Sequence, residues 1–171
     1  FAGMEGSRPM LVEIQSLLAP SALGTPRRAV VGWDSSRLAT VMAVLETRCG
    51  MAVGGNDVYL NVAGGLKIAE PAADMAVAAA LASSASGVPV PTDSVIFGEI
   101  GLSGEVRAVS QTDNRLREAE KLGFTQAIIP KWRGKAKRGA TNLKIQEIGH
   151  LSELLEIFQS SESNSIGFAG H

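Results

Sequence analysis

Apolar and polar side chains partly alternate over residues 10–18, a pattern that predicts a half-buried strand. Across a loop holding Pro20, Gly24 and Pro26, the run Arg28-Ala29-Val30-Val31-Gly32 is expected to pair with it. The period then changes. Leu38, Val41, Met42, Leu45 and Cys49 share one face of a predicted helix, with Asp34 or Ser35 placed to cap its start and Gly50 to close it. Val58, Leu60 and Val62 alternate with Tyr59 and Asn61, which predicts the next strand. Residues 71–84 predict an alanine-rich helix. Pro71 suits its first turn, where a missing N–H costs nothing, and side chains this small let neighbours approach closely, which places the helix in the core.

Beyond it, residues 94–99 and 105–109 read as a strand pair joined through Gly101 and Gly104. A helix over 114–122 carries Leu116, Ala119 and Leu122 inward and ends at Gly123. Residues 124–129 and 143–148 are two further strands, and 151–158 a last helix with Leu151, Leu154, Leu155 and Phe158 on its apolar face. Strands and helices mixed in this order indicate an α/β domain of α+β layered type, with mixed sheets packed against helices. It is expected to occupy residues 1–158 as one unit. From Gln159 onward Ser, Glu and Asn dominate, and residues 159–171 are expected to be a disordered tail.

The 171 residues are 45% hydrophobic and 19% charged, enough apolar material for one buried core and too much for wholesale disorder. No apolar run approaches the roughly 20 residues of a membrane helix, and no signal peptide is expected at the start, so no membrane partner is expected. The chain does not begin with Met, which suggests an excised fragment. Cys49 is the single cysteine. It forbids an internal disulfide and fits a reducing cytoplasm, and with only two histidines it is too little for a zinc site. A formal net charge of −1 leaves open whether sixteen basic and seventeen acidic residues segregate into patches.

One basic run does stand apart. Lys131-Trp132-Arg133-Gly134-Lys135-Ala136-Lys137-Arg138 places five cations within eight residues, able to attract phosphates by counterion release, with an indole able to stack on a base. The competing reading is a solvated loop with Trp132 tucked into the core. Arg117 and Lys121 are weaker candidates in a second group with Arg107 and Arg115, since Glu118 and Glu120 dilute their field. Candidates for bond-breaking chemistry are fewer. His150 and His171 are the only histidines, and neither is placed to serve a serine. Ser83, Ser84 or Ser110 with Lys67 would be a relocated pair. Glu70, Asp74, Glu99 and Asp113 are carboxylates that could gather as acid and base or around a metal, although Asp74 already has a purpose in favouring the positive end of its helix. Gly64-Gly65-Leu66-Lys67 lacks the first glycine and the trailing hydroxyl of a phosphate loop, so no ATP binding is expected of this chain.

Glu70-Pro71-Ala72-Ala73-Asp74, Gly98-Glu99-Ile100-Gly101-Leu102-Ser103-Gly104-Glu105-Val106 and Asp113 keep a spacing that resembles the proteolytic domain of Lon-type ATP-dependent proteases. That family reads roughly Gly-Pro-Ser-Ala-Gly, then Gly-Glu-x-x-Leu-x-Gly-x-Val, then a lysine fifteen residues after the glycine of Gly-Glu. Here Ala72 stands at the serine and Asp113 at the lysine, so the resemblance implies a Lon-like fold with no catalytic residues. Ser7-Arg8-Pro9-Met10-Leu11-Val12-Glu13-Ile14-Gln15, Asp34-Ser35-Ser36-Arg37-Leu38 and Val62-Ala63-Gly64-Gly65-Leu66-Lys67 resemble, more specifically, the carboxy-terminal domain of the RadA (Sms) family of bacterial DNA repair proteins, over residues 5–158. That resemblance implies a preceding zinc-binding segment and RecA-like ATPase that would carry Zn, ATP and Mg, with no cofactor in this chain. It further implies a hexameric ring, single-stranded or branched DNA as ligand, a recombinase filament as a possible companion, support of branch migration, and a place in the cytoplasm by the nucleoid. Residual serine peptidase activity and a purely structural oligomerisation module are the alternatives.

Overall fold

The computed structural model describes residues 1–22, 24–132 and 141–165, with residues 160–165 given by backbone alone. The chain opens on a strand that the alternation did not predict. β1 (Ala2–Glu5) turns at Gly6, whose φ of +61° suits glycine, into β2 (Arg8–Leu11), and the two pair antiparallel with Ala2 opposite Leu11. β3 (Ile14–Pro20) starts afresh in a different sheet. The single strand expected over residues 10–18 is therefore two.

The expected pairing of that run with residues 28–32 is corrected as well. β5 (Asn56–Val62) lies between β3 and β4 (Arg28–Val31), antiparallel to the first with Ile14 opposite Val62, and parallel to the second with Arg28 opposite Val58. Alternation reports which face of a strand is buried and is silent about its neighbour. The most thoroughly buried face, that of Val58, Leu60 and Val62, belongs to the central strand. Parallel neighbours need a crossover, and α1 (Ser35–Cys49) supplies it between β4 and β5. Asp34 caps α1 by accepting from the Arg37 N–H at 2.9 Å, Gly50 closes it in the left-handed conformation, and Leu38, Val41, Met42 and Leu45 are buried as expected. Cys49 ends the helix half-buried against the core, and burial pushes its thiol up.

A 3-10 turn, Pro71–Ala73, leads into α2 (Asp74–Ser86), which is buried on almost every side. Its alanines let α1, β3 and the last helix pack closely, and it forms the middle of the larger core. β6 (Ser94–Ile96), β9 (Gln126–Pro130) and β10 (Lys144–Ile148) form an all-parallel sheet in the order β10-β9-β6. That sheet is buried on both faces: Ile128 and Ile148 point to the larger core, while Ala127 and Ile129 point to a second cluster with Ala2, Val95, Phe97, Leu116 and Leu143.

The run over 94–99 does not pair with 105–109 as one strand. It breaks at Gly98, and only the short β7 (Glu99–Ile100) joins β8 (Val106–Arg107) in a hairpin. A Cβ at Gly98 would lie 2.4 Å from Met75 Sδ, so the chain passes α2 more closely than any side chain permits. On α3 (Thr112–Lys121) Leu116 and Ala119 are buried, but Leu122 is 55% exposed and Arg115 is the side chain turned inward. α4 (Leu151–Ser165) buries Leu151, Leu154, Leu155 and Phe158. It continues past the expected end at Phe158, so residues 159–165 of the expected tail are helical; no glycine or proline interrupts them. Among the described residues no helix is long and apolar enough to cross a membrane.

Candidate functional site

Ala72 sits in the 3-10 turn just before α2 and is 3% exposed. Its carbonyl accepts from the Gly98 N–H at 2.8 Å, and the Gly98 carbonyl accepts from the Met75 N–H at 3.0 Å, so the link between β6 and β7 is bonded across the start of α2. Only the absence of a side chain at Gly98 allows this, and the same contact brings Glu99 and Ile100 beside Asp74.

Asp74 is fully buried, which its first-turn position alone did not reveal. Its carboxylate accepts from Nε and Nη2 of Arg37, the former at 3.2 Å, and from the Ile100 N–H at 3.0 Å. Burial pushes the Asp74 carboxyl above its ordinary value, with Arg37 and the Ile100 amide pulling the other way. A carboxyl that keeps its proton to higher pH in the folded chain than in the unfolded one favours folding most at acid pH. That contribution is lost as pH rises from the ordinary 3.8 through the raised value. Asp74→Asn is expected to flatten this part of the stability profile, read as the urea midpoint followed upward from pH 3.8.

Glu70 lies two residues before Ala72. Its Oε1 accepts from the Met4 N–H at 2.7 Å and from Arg115 Nη1 at 3.0 Å, and its Oε2 from Arg115 Nη2 at 2.8 Å. Arg115 is 1% exposed; it also donates to the carbonyls of Ser110 and Ala2, each at 2.9 Å, and lies over the Phe97 ring at 5.6 Å. Asp113 is on the same helix, two residues from Arg115, and is exposed. The Glu70–Arg115 pair thus ties the segment carrying Ala72 to the helix carrying Asp113.

The four carboxylates do not converge on one centre. Glu70 is held by Arg115, Asp74 by Arg37, Glu99 lies 3.9 Å from Arg107, and Asp113 faces solvent. Among the described residues no group of three or more His, Cys, Asp or Glu is placed to hold a metal ion. Neither arginine partner was identified from sequence. The signal for Arg115 was its place four residues before the buried Ala119, on the inward edge of the helix. The remaining catalytic candidates have other occupations. Ser83 Oγ donates to the Val88 carbonyl at 2.7 Å and Ser84 Oγ accepts from the Leu18 N–H at 2.9 Å, while Lys67 and Ser110 are exposed. His150 Nδ1 accepts from the Ser152 N–H at 3.1 Å, and its Nε2 lies 3.0 Å from the Ser103 carbonyl.

Of the basic run, Arg133, Lys135, Lys137 and Arg138 lie outside the described residues. Lys131 is exposed, and Trp132 is half-buried against the second core cluster with its N–H donating to Glu147 Oε1 at 2.8 Å. On the far side, Glu120 near the end of α3 accepts from Thr141 Oγ1 at 3.0 Å and from the Asn142 N–H at 3.1 Å, bonds that hold its carboxyl below the usual range. Both ends of the segment are thereby anchored. The second anchor lies on α3, whose exposed Arg117 and Lys121 were the weaker candidates.

Residues 19–133 match the family model described as subunit ChlI of Mg-chelatase. The chain is 61% identical over 155 residues to the DNA repair protein RadA of Brucella abortus, which takes in 91% of this chain and 33% of that protein. It is 50% identical over 159 residues to RadA of Rickettsia felis, with 93% and 34% covered, and 45% identical over 157 residues to RadA of Aquifex aeolicus, with 92% and 35% covered. The chain thus spans about a third of the length of these relatives. The magnesium in the family's description finds no matching set of ligands among the described residues, since Glu70 and Asp74 are each taken by an arginine. By a match over most of its length the chain belongs to the ChlI family, and it is homologous to the bacterial DNA repair protein RadA.

Proposed function

We propose that this chain is a noncatalytic, Lon-protease-like domain of a DNA repair ATPase of RadA type, which scaffolds a hexameric ring and contacts DNA without reading its sequence. The observation that carries the proposal is Ala72, a buried methyl group where the Lon pattern has its serine. A nucleophile needs a hydroxyl or thiol with a base beside it, and Asp113 at the lysine position is an exposed carboxylate. The arginines that hold Glu70 and Asp74 give the old centre a structural use. Lys131 and the cations that follow it would meet the phosphate backbone, and the ring would support branch migration driven by a RecA-like ATPase. ATP, Mg and Zn belong, in this reading, to the rest of the parent protein, which acts in the cytoplasm.

Two readings compete with it, and one set of measurements separates all three. Incubated with unfolded casein, the chain is expected to leave it intact, and a serine-directed fluorophosphonate probe to leave Ser83, Ser84 and Ser110 unlabelled; turnover or labelling would establish a residual peptidase instead. Titrated against labelled single-stranded and forked DNA, it is expected to bind both, with affinity falling steeply as salt is raised. No binding at low salt would leave only an oligomerisation module.

A further inference from the structure

Resting on the RadA-type reading above, we propose that the outer face of the β3-β5-β4 sheet is where the ATPase module of the parent protein packs onto this domain, through Leu17, Tyr59 and Val31.

Alternation decides which side of β5 looks outward. Val58, Leu60 and Val62 are buried, so Asp57, Tyr59 and Asn61 stand on the opposite face. The register carries that face across the sheet: Tyr59 lies opposite Leu17 of β3 and Ala29 of β4, and Asn61 lies opposite Gln15 and Val31. Directly paired residues share a face at a strand spacing of about 4.8 Å. Leu17, Tyr59 and Ala29 therefore form one row, with Val31 one step along β4. Leu17 is 59% exposed, Val31 57% and Tyr59 39%, so half of the large apolar side chains exposed among the described residues share this one face. Scattered singly such side chains are ordinary, but adjoining ones on a rigid sheet make an interaction surface. Tyrosine suits its centre, since a large ring with few rotamers loses little freedom when covered.

The rim of the face is polar. At one end Gln15 Nε2 donates to Glu13 Oε1 at 2.9 Å and Asn61 Nδ2 donates to Gln15 Oε1 at 3.4 Å. At the other, Asp57 Oδ1 accepts from the Arg27 N–H at 2.7 Å, and Arg28 donates to the carbonyls of Gly54 and Asn56. An apolar centre inside a polar rim is the anatomy of a protein interface. Carboxylates at both ends, Glu13 and Asp57, count against a nucleic acid, since they stand where its phosphates would lie. A second copy meeting this face with the same face would close as a pair, whereas a ring sets one surface against a different one.

The tether selects the ATPase. The match to RadA takes in the carboxy-terminal third of that protein, so the parent's ATPase would precede this domain. The Phe1 carbonyl accepts from the Val12 N–H at 2.9 Å, and Val12 lies two residues ahead of β3, the edge strand that carries Leu17. A chain leading into Phe1 thus arrives within roughly 20 Å of the apolar row. A short tether holds a module there at an effective concentration on the order of millimolar, enough for a contact of modest area to stay closed.

The test uses the full-length parent with p-benzoylphenylalanine in place of Tyr59, an exchange of one exposed aromatic for another. Irradiation followed by peptide mass spectrometry is expected to find residue 59 joined to the ATPase module, with or without DNA. Leu17→Arg with Val31→Arg should lower the yield of that product about tenfold or more, because two charges would have to be desolvated at the contact. Both positions are exposed, so the fold is expected to survive, and circular dichroism checks that it does. A cross-link to this domain of a second copy, a cross-link to single-stranded DNA, no cross-link, or a yield unmoved by the two arginines overturns the contact. DNA-stimulated ATP hydrolysis by the same preparation separates the two readings. Hydrolysis without the cross-link removes the contact alone, and a parent with no ATPase activity removes the RadA-type reading as well.

Discussion

Arg115→Met is expected to cost about 3–5 kcal/mol of unfolding free energy. Methionine fills much of the arginine's volume, so the loss comes from the groups left behind rather than from an empty cavity. The Glu70 carboxylate loses both guanidinium bonds and keeps only the Met4 N–H, and the carbonyls of Ala2 and Ser110 lose their donor inside the protein. Glu70 retains 24% side-chain exposure, so water offsets part of this and the lower half of the range is the better expectation. Urea unfolding followed by circular dichroism measures it. Glu70→Gln in the same background should recover a fraction, because a neutral amide is cheaper to leave unpaired than a carboxylate. Arg115→Lys should behave more like methionine than like arginine, since one ammonium cannot span the four acceptor atoms the planar fork reaches. A loss below about 1 kcal/mol for Arg115→Met would mean that the tie between the Ala72 segment and α3 contributes little to holding the fold together.

The contrast between Arg115 and Leu122 marks the limit of what hydropathy says about this chain. Periodicity correctly places Leu116 and Ala119 inward on α3, and it puts Leu122 there too, yet the burial goes to Arg115. Only the position of Glu70, forty-five residues earlier in the chain, makes a buried guanidinium stable, and no local pattern reports a partner that distant. The same reasoning covers the strands. Alternation identifies Val58, Leu60 and Val62 as a buried face, and α1 is legible down to its Asp34 cap and Gly50 stop because capping is local. The parallel place of β4 beside β5 is set by the crossover through α1, and the sequence reading paired the wrong two strands. Asp74 combines both cases. Its place at a helix start was legible, while its burial under Arg37 depends on the close passage at Gly98. The family was legible for a different reason: several separate segments, among them residues 7–15, 34–38 and 62–67, keep the order and spacing of RadA, and the match to the RadA of Brucella abortus extends over nine-tenths of the chain.

Reversing Lys131, Arg133, Lys135, Lys137 and Arg138 to glutamate is expected to weaken binding to single-stranded DNA by on the order of a hundredfold or more near 0.1 M salt. If all five cations meet phosphates, the slope of log affinity against log salt should flatten by up to about 3.5, because each released counterion contributes roughly 0.7 on a single strand. The loss should be similar across DNA sequences, since phosphate contacts carry no base information. Anisotropy with a labelled oligonucleotide over a salt series reads both quantities. Trp132 provides an internal control. Its indole packs against the second core cluster, so Trp132→Ala should lower stability more than it changes the salt slope. A stacking tryptophan would do the opposite, weakening binding at every salt concentration with stability unchanged. Reversal of Arg117 and Lys121 should have a smaller effect, because Glu118 shares their helix, although Glu120 is already occupied by Thr141 and Asn142. Those two bonds anchor the returning end of the basic segment on α3. An unchanged salt slope in the fivefold reversal would remove the segment from the DNA surface and move the search to the remaining cations of the chain.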